Sequence, residues 1–223
     1  MKPSPFSFSF PISFSFSFWA PWRAALAAAV LATAAAGCAT GQTATRSAPI
    51  VAGWTLDNGA SELRFVTTKN TNFAEVQQFK RLTGEVGANG AVKLAIDLAS
   101  VETQIPLRNE RLQNLLFEIA RFPAAQFDAV IDMNLISALE PGASLDLDVA
   151  GKLNLHGQTQ AANASLRVVK LRGDRLLVAT RAPILVNAAQ YELGAGIEKL
   201  REMMGLPNIV GTVPVSFALV FRK

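Results

Sequence analysis

Leu107–Phe127 reads LRNERLQNLLFEIARFPAAQF, and further along the chain comes Leu153-Asn154-Leu155-His156-Gly157. The first stretch alternates with neither strand nor loop periodicity. Leu112, Leu115, Leu116 and Ile119 fall at i, i+3, i+4 and i+7, one face of a short amphipathic helix. Phe122-Pro123 breaks that helix, because proline disfavours helical geometry in the residue before it. A strand then begins towards Phe127. The spacing therefore predicts a helix over Leu107–Ile119 set between strands, not a layer of helices.

Outward from this point the pattern has period two. Leu63, Phe65 and Thr67 alternate with Glu62, Arg64 and Val66. Val92, Leu94, Ile96 and Leu98 alternate with Lys93, Ala95 and Asp97, after an Asn89-Gly90 hairpin signal. Phe127, Ala129, Ile131 and Met133 alternate with three polar or smaller residues. Leu145, Leu147 and Val149 follow a Pro141-Gly142 turn, and Ala162, Ala164, Leu166 and Val168 continue the pattern. Val213, Val215, Phe217, Leu219 and Phe221 share one side of the last strand. With segments near Phe73–Val86, Leu153–Leu155 and Leu176–Val186 the total is about eight strands, each with one apolar and one polar face. A second short helix, Gly194–Met204, places Ile197, Leu200, Met203 and Met204 on one face before Pro207. Two short helices cannot cover so much apolar sheet. It must close into a barrel or fold over as a sandwich, and periodicity alone leaves the two level.

Arg108-Asn109 near a helix start, Phe122-Pro123 after it, and the strand end Leu153-Asn154-Leu155-His156-Gly157-Gln158-Thr159 together resemble the YceI family of bacterial envelope proteins. That family commonly has Asp where this chain has Asn109. The resemblance covers about Trp54 to Phe221. It implies an all-β fold, a closed antiparallel lipocalin-like barrel of about eight strands with two short helices. It also implies a non-catalytic role, the binding and carriage or storage of a long isoprenoid lipid, a quinone or its precursor, in the periplasm, by a monomer or homodimer.

The N-terminal region has its own chemistry. Arg23 precedes the apolar run Ala24–Ala36 and then Gly37-Cys38, the order of an export signal too short to span a bilayer. Ala35-Ala36-Gly37-Cys38 resembles a lipobox, with Cys38, the only cysteine, as the lipidation site, against the plainer reading of a small-residue signal cleaved near Ala36 or Ala39 that leaves a free thiol. Residues 1–37 are read as signal, 38–52 as a lipidated tether rich in Thr, Ala and Gly, and 53–223 as the barrel domain. Ala39 after the cysteine favours anchoring at the outer membrane. The Ser/Phe alternation of Phe6–Phe18 lies upstream of the signal, is read as an over-extended start of the reading frame, and is excluded from the fold. The formal charge is +4, and +2 without Lys2 and Arg23; with no basic run interleaved with aromatics, nucleic acid is excluded as a partner.

His156 is the only histidine, so a metal or haem site built from the usual ligands is not expected. No nucleophile elbow, P-loop or dinucleotide glycine pattern occurs. His156 is read as a ring hydrogen-bonded at a turn. Asp128, Asp132, Asp146 and Asp148 fall on outward positions, a solvated surface more than an acid–base pair. An enzyme is therefore the least supported class.

What remains is a binding barrel, or a structural lipoprotein with a solid core. Phe65, Phe73 and Phe79 stand in the early strands, and small Ala129, Ala162 and Ala164 in the middle of the chain. Small residues opposite large ones leave room for a channel. The expected lining is those three phenylalanines with Ile96, Phe127, Ile131, Leu147, Leu166 and Phe217. Arg108 is the candidate for the lipid head group, against the plainer reading that Arg108 and Arg111 pair with Glu110 and Glu118. The Met-bearing helix either adapts to a ligand or plugs the barrel end.

Overall fold

Period-two alternation is expressed as strand through most of the computed structural model, which describes residues 52–70 and 72–223. The signal, Cys38 and most of the tether lie outside the described residues. Within them the strands are β1 (Ala52–Leu56), β2 (Glu62–Lys69), β3 (Phe73–Phe79), β4 (Leu82–Gly87), β5 (Ala91–Asp97) and β6 (Val101–Glu102). Helix α1 (Pro106–Arg111) and β7 (Ala124–Val130) follow, then α2 (Met133–Ser137), β8 (Ser144–Leu155) and β9 (Gln158–Leu171). The chain ends with β10 (Arg175–Thr180), β11 (Ile184–Asn187), α3 (Gly194–Met203) and β12 (Thr212–Arg222).

All pairings are antiparallel. The order β1-β4-β5-β7-β8-β9-β10-β12 returns to β1 through Thr55–Arg222 and Leu56–Phe221, closing a ring of eight strands. The sheet closes instead of folding into two, which removes the open edges a sandwich would leave. The other four segments are continuations: β2 follows β1 along β12, β3 pairs with β2, β6 pairs with β3, and β11 follows β10 along β12. Local capping interrupts the long strands. Asp57 accepts from Gly59 N–H at 3.2 Å and Asn58 accepts from Leu82 N–H at 2.7 Å, so one kink is stitched to the next. The stretch near Phe73–Val86 holds two strands, separated where the Lys80 and Arg81 N–H groups donate to Ser100.

Turn chemistry sets the register. His156 and Gly157 have φ of +52° and +78° between paired Leu155 and Gln158, a two-residue loop whose backbone twist matches the flanking strands. At Gly90, φ is +82° and a Cβ would lie 2.0 Å from Ile131 O, so no larger residue fits the predicted hairpin.

Three departures from the sequence reading have local causes. The strand expected to reach Met133 ends at Val130, because the Asp132 carboxylate caps Asn134 N–H at 2.9 Å and starts α2. The first helix begins at Pro106 and passes into one π-helical turn, Leu112–Leu116, where Phe117 N–H donates to Leu112 O at 2.9 Å. Glu118, at φ +48°, ends it before Ile119. In α3, Leu200 is buried, but Met203 and Met204 are exposed past the end of the packed face, so neither plugs the barrel.

Candidate ligand cavity

The inward phase of the strands builds the site. Along β2 and β3 the facing pairs are Leu63–Phe79, Phe65–Gln77, Thr67–Glu75 and Lys69–Phe73, a column running from the barrel interior to the end where β2 turns into β3. The lower part of this column is apolar and aromatic. Phe65 and Phe79 stack with ring centroids 5.1 Å apart, and Phe79 lies 5.8 Å from Phe117 of the helical cover. Leu112 and Leu116 of the π turn and Ile197 of α3 extend that cover. The two covers touch closely, since a Cβ on Gly196 would meet Leu115 O at 2.7 Å. At the opposite end α2 contributes buried Ile136.

These walls enclose a cavity of about 250 Å³ whose lining is apolar except for Thr67. A single water needs only about 10–15 Å³ and two to four polar partners, so water is a poor occupant. Side chains do not fill the barrel because its wall is small where bulk would be needed. Ala162 and Ala164 face inward, and Gly151 leaves space that the Phe127 ring occupies, 2.2 Å from where a Cβ would stand. At about 24 cal/mol per Å³, an unfilled apolar space of this size costs roughly 6 kcal/mol. That is comparable with the net stability of a whole domain, about 5–15 kcal/mol.

The structure brings eight of the nine predicted lining residues to this cavity. Phe65, Phe79, Ile96 and Phe127 line it, as do Ile131, Leu147, Leu166 and Phe217. Phe73 does not. Its position keeps the inward phase, but β3 runs past the barrel end, leaving the ring 56% exposed with Lys69 Nζ 5.4 Å from its centroid.

Above Thr67 the column turns polar. Arg108 donates to both Glu75 oxygens at 2.8 and 3.0 Å and to Thr103 O at 2.7 Å. Lys69 Nζ is 2.5 Å from the same carboxylate. Arg108 thus pairs across to β3 and not with Glu110 or Glu118; Glu118 pairs with Arg121. Burial raises the Glu75 pKa, but the hydrogen bonds and charges of Lys69 and Arg108 outweigh it and hold the carboxyl below its ordinary range. Asn109 accepts from Thr103 N–H and Oγ1–H at 2.9 and 2.6 Å and donates to Glu102, fixing the start of α1. Glu102 is lowered to about 2 by the Lys80 ammonium, Gln104 N–H and Asn109.

His156 is not hydrogen-bonded as expected. Its ring packs 4.4 Å from Phe122, with neither nitrogen partnered among the described residues. Asp128, Asp132, Asp146 and Asp148 are exposed; Asp146 pairs with Arg167 and Arg181, and Asp148 with Ser165. Among the described residues no group of three His, Cys, Asp or Glu could hold a metal, and no helix is long and apolar enough to cross a membrane. Sequence reasoning missed Thr67, Glu75 and Gln77, whose one signal was a polar residue in an inward phase.

A closed eight-stranded barrel around a capped apolar cavity defines a lipocalin-like fold. The sequence profile of the YceI-like domain matches residues 54–221, and the chain belongs to that family. A solved polyisoprenoid-binding domain from Saccharophagus degradans, implicated in plant cell wall breakdown, is 37% identical with a TM-score of 0.75 over 77% of this chain and 99% of that one. Burkholderia cenocepacia BcnA shares the fold at 20% identity and a TM-score of 0.55, over 74% of this chain and 98% of that one. No curated protein matches the sequence.

Proposed function

We propose that the barrel binds a long-chain isoprenoid lipid, a quinone or its precursor, and carries or stores it in the periplasm without catalysing a reaction. The observation that carries this reading is the 250 Å³ cavity with an apolar lining broken only by Thr67. A relative 37% identical over almost its whole length, itself a polyisoprenoid-binding domain, supports it. The tail enters from the end covered by α1, lies along Phe65, Ile96, Phe127 and Phe217, and leaves its head near Arg108. A structural lipoprotein with a solid core is disfavoured by the same cavity. Cys38 carries the acyl chains that hold the protein at the outer membrane. Two or three chains, at about 0.8 kcal/mol per buried methylene, anchor it durably. Mass spectrometry of an organic extract of the purified barrel domain tests the reading. An isoprenoid lipid near one per barrel is expected. Its absence, together with failure to take up added polyprenol, would refute lipid binding.

A further inference from the structure

Gln77 is 5% exposed, a buried amide one strand position from the cavity wall. Its Nε2 donates to Thr67 Oγ1 at 3.0 Å, and Thr67 is the one polar residue lining the cavity. Gln77 Oε1 is buried without a partner among the described residues. So is Arg108 Nε, while the other two nitrogens of that guanidinium are committed to Glu75 and Thr103. Glu75 and Gln77 are successive inward residues of β3, and Thr67 faces Glu75 across the strand pair. One unpartnered acceptor and one unpartnered donor are therefore buried in the polar layer next to Thr67, the polar residue of the cavity lining. Buried polar groups left unpaired are costly, and their pairing is where a site gains specificity.

We propose that Gln77, Thr67 and Arg108 form a head-group subsite that selects an uncharged hydroxyl over a phosphate. A hydroxyl donates its proton to Gln77 Oε1 and accepts from Arg108 Nε–H, the complement of what is open. A diphosphate offers acceptors only, which would face Gln77 Oε1. It would also have to displace Glu75 from Lys69 and Arg108, both of which already hold that carboxylate. The inference rests on the lipid-binding reading and narrows the head to a hydroxyl-bearing precursor, since the carbonyls of a quinone, like phosphate oxygens, offer acceptors only.

The test uses the barrel domain, whose solved relative is covered over 99% of its own length by this part of the chain. An all-trans polyprenol, its diphosphate and the matching unsubstituted hydrocarbon compete against a fluorescent apolar probe in the delipidated protein. The polyprenol should bind about tenfold tighter than the hydrocarbon and tighter than the diphosphate. Gln77→Leu should bring the polyprenol down to the affinity of the hydrocarbon, a loss of discrimination that a merely structural role would not produce. Thr67→Val gives an independent variant should Gln77→Leu lower the melting temperature. Equal binding of alcohol and hydrocarbon, or tightest binding of the diphosphate, overturns the subsite and leaves lipid binding standing. Failure of all three to enter overturns both.

Discussion

Ala164 lies on β9, 4% exposed, with its methyl on the cavity wall beside Val149 and Leu166. Replacing it by Phe gives the clearest test of a hollow barrel, because the sign of the stability change differs between the two cases. In a solid core the added ring forces neighbours off their rotamers, at a cost of about 1–3 kcal/mol. In this barrel the ring projects into the 250 Å³ cavity and exchanges unfilled space for contacts. Burying a phenylalanine side chain is worth roughly 1.5–3 kcal/mol. For a domain of this size each kcal/mol moves Tm by about 2–4 °C, so ligand-free Ala164→Phe should melt roughly 3–12 °C higher than the parent. The same ring stands where the tail would lie, and uptake of a fluorescent polyprenol should be lost. Calorimetry on the delipidated domain and a titration with the probe measure the two effects together. A lower Tm with unchanged uptake would refute both the hollow interior and its role.

Four further outcomes are expected. Cys38→Ser should abolish acylation and release the protein from the membrane fraction; equal membrane retention and processing would end the lipoprotein reading. Gly151→Ala should push the Phe127 ring into the cavity, since a Cβ there would lie 2.2 Å from that ring, reducing ligand capacity more than stability. Arg108→Ala should destabilise by about 1–3 kcal/mol in a denaturant titration, less than the roughly 3–5 kcal/mol of a fully buried pair because Lys69 stays on Glu75 and both groups keep some solvent. The carboxyls of Glu75 and Glu102 are both held below 4.5, so their contribution is full above that pH and is lost as acid protonates the folded forms, for Glu102 down to about 2. Amide hydrogen-exchange protection in α1, corrected for the intrinsic rate at each pH, should therefore fall over that window, and unchanged protection would count against these ion pairs holding α1 in place.

Which face of each strand turns inward was legible in the amino-acid pattern alone. Period-two alternation is a local property, so Leu63, Phe65, Ile96, Phe127 and Leu166 could be assigned to the interior before their partners were known, and Asn89-Gly90 marked its hairpin. The Phe122-Pro123 and Leu-His-Gly elements pointed to the family and hence to closure, which alternation alone left level with a sandwich. Tertiary structure decided what lies at the barrel ends. Phe73 has the correct phase, but whether an inward residue is buried depends on how far the neighbouring strands extend beside it, and β6 pairs with β3 only at Gln78 and Phe79. Arg108 could be assigned a partner only once α1 was seen to cross β3, because Glu75 is distant in sequence and adjacent in space. The hollow interior likewise depends on Gly151, Ala162 and Ala164 meeting across a closed ring, a volume that belongs to the assembled walls and to no single strand.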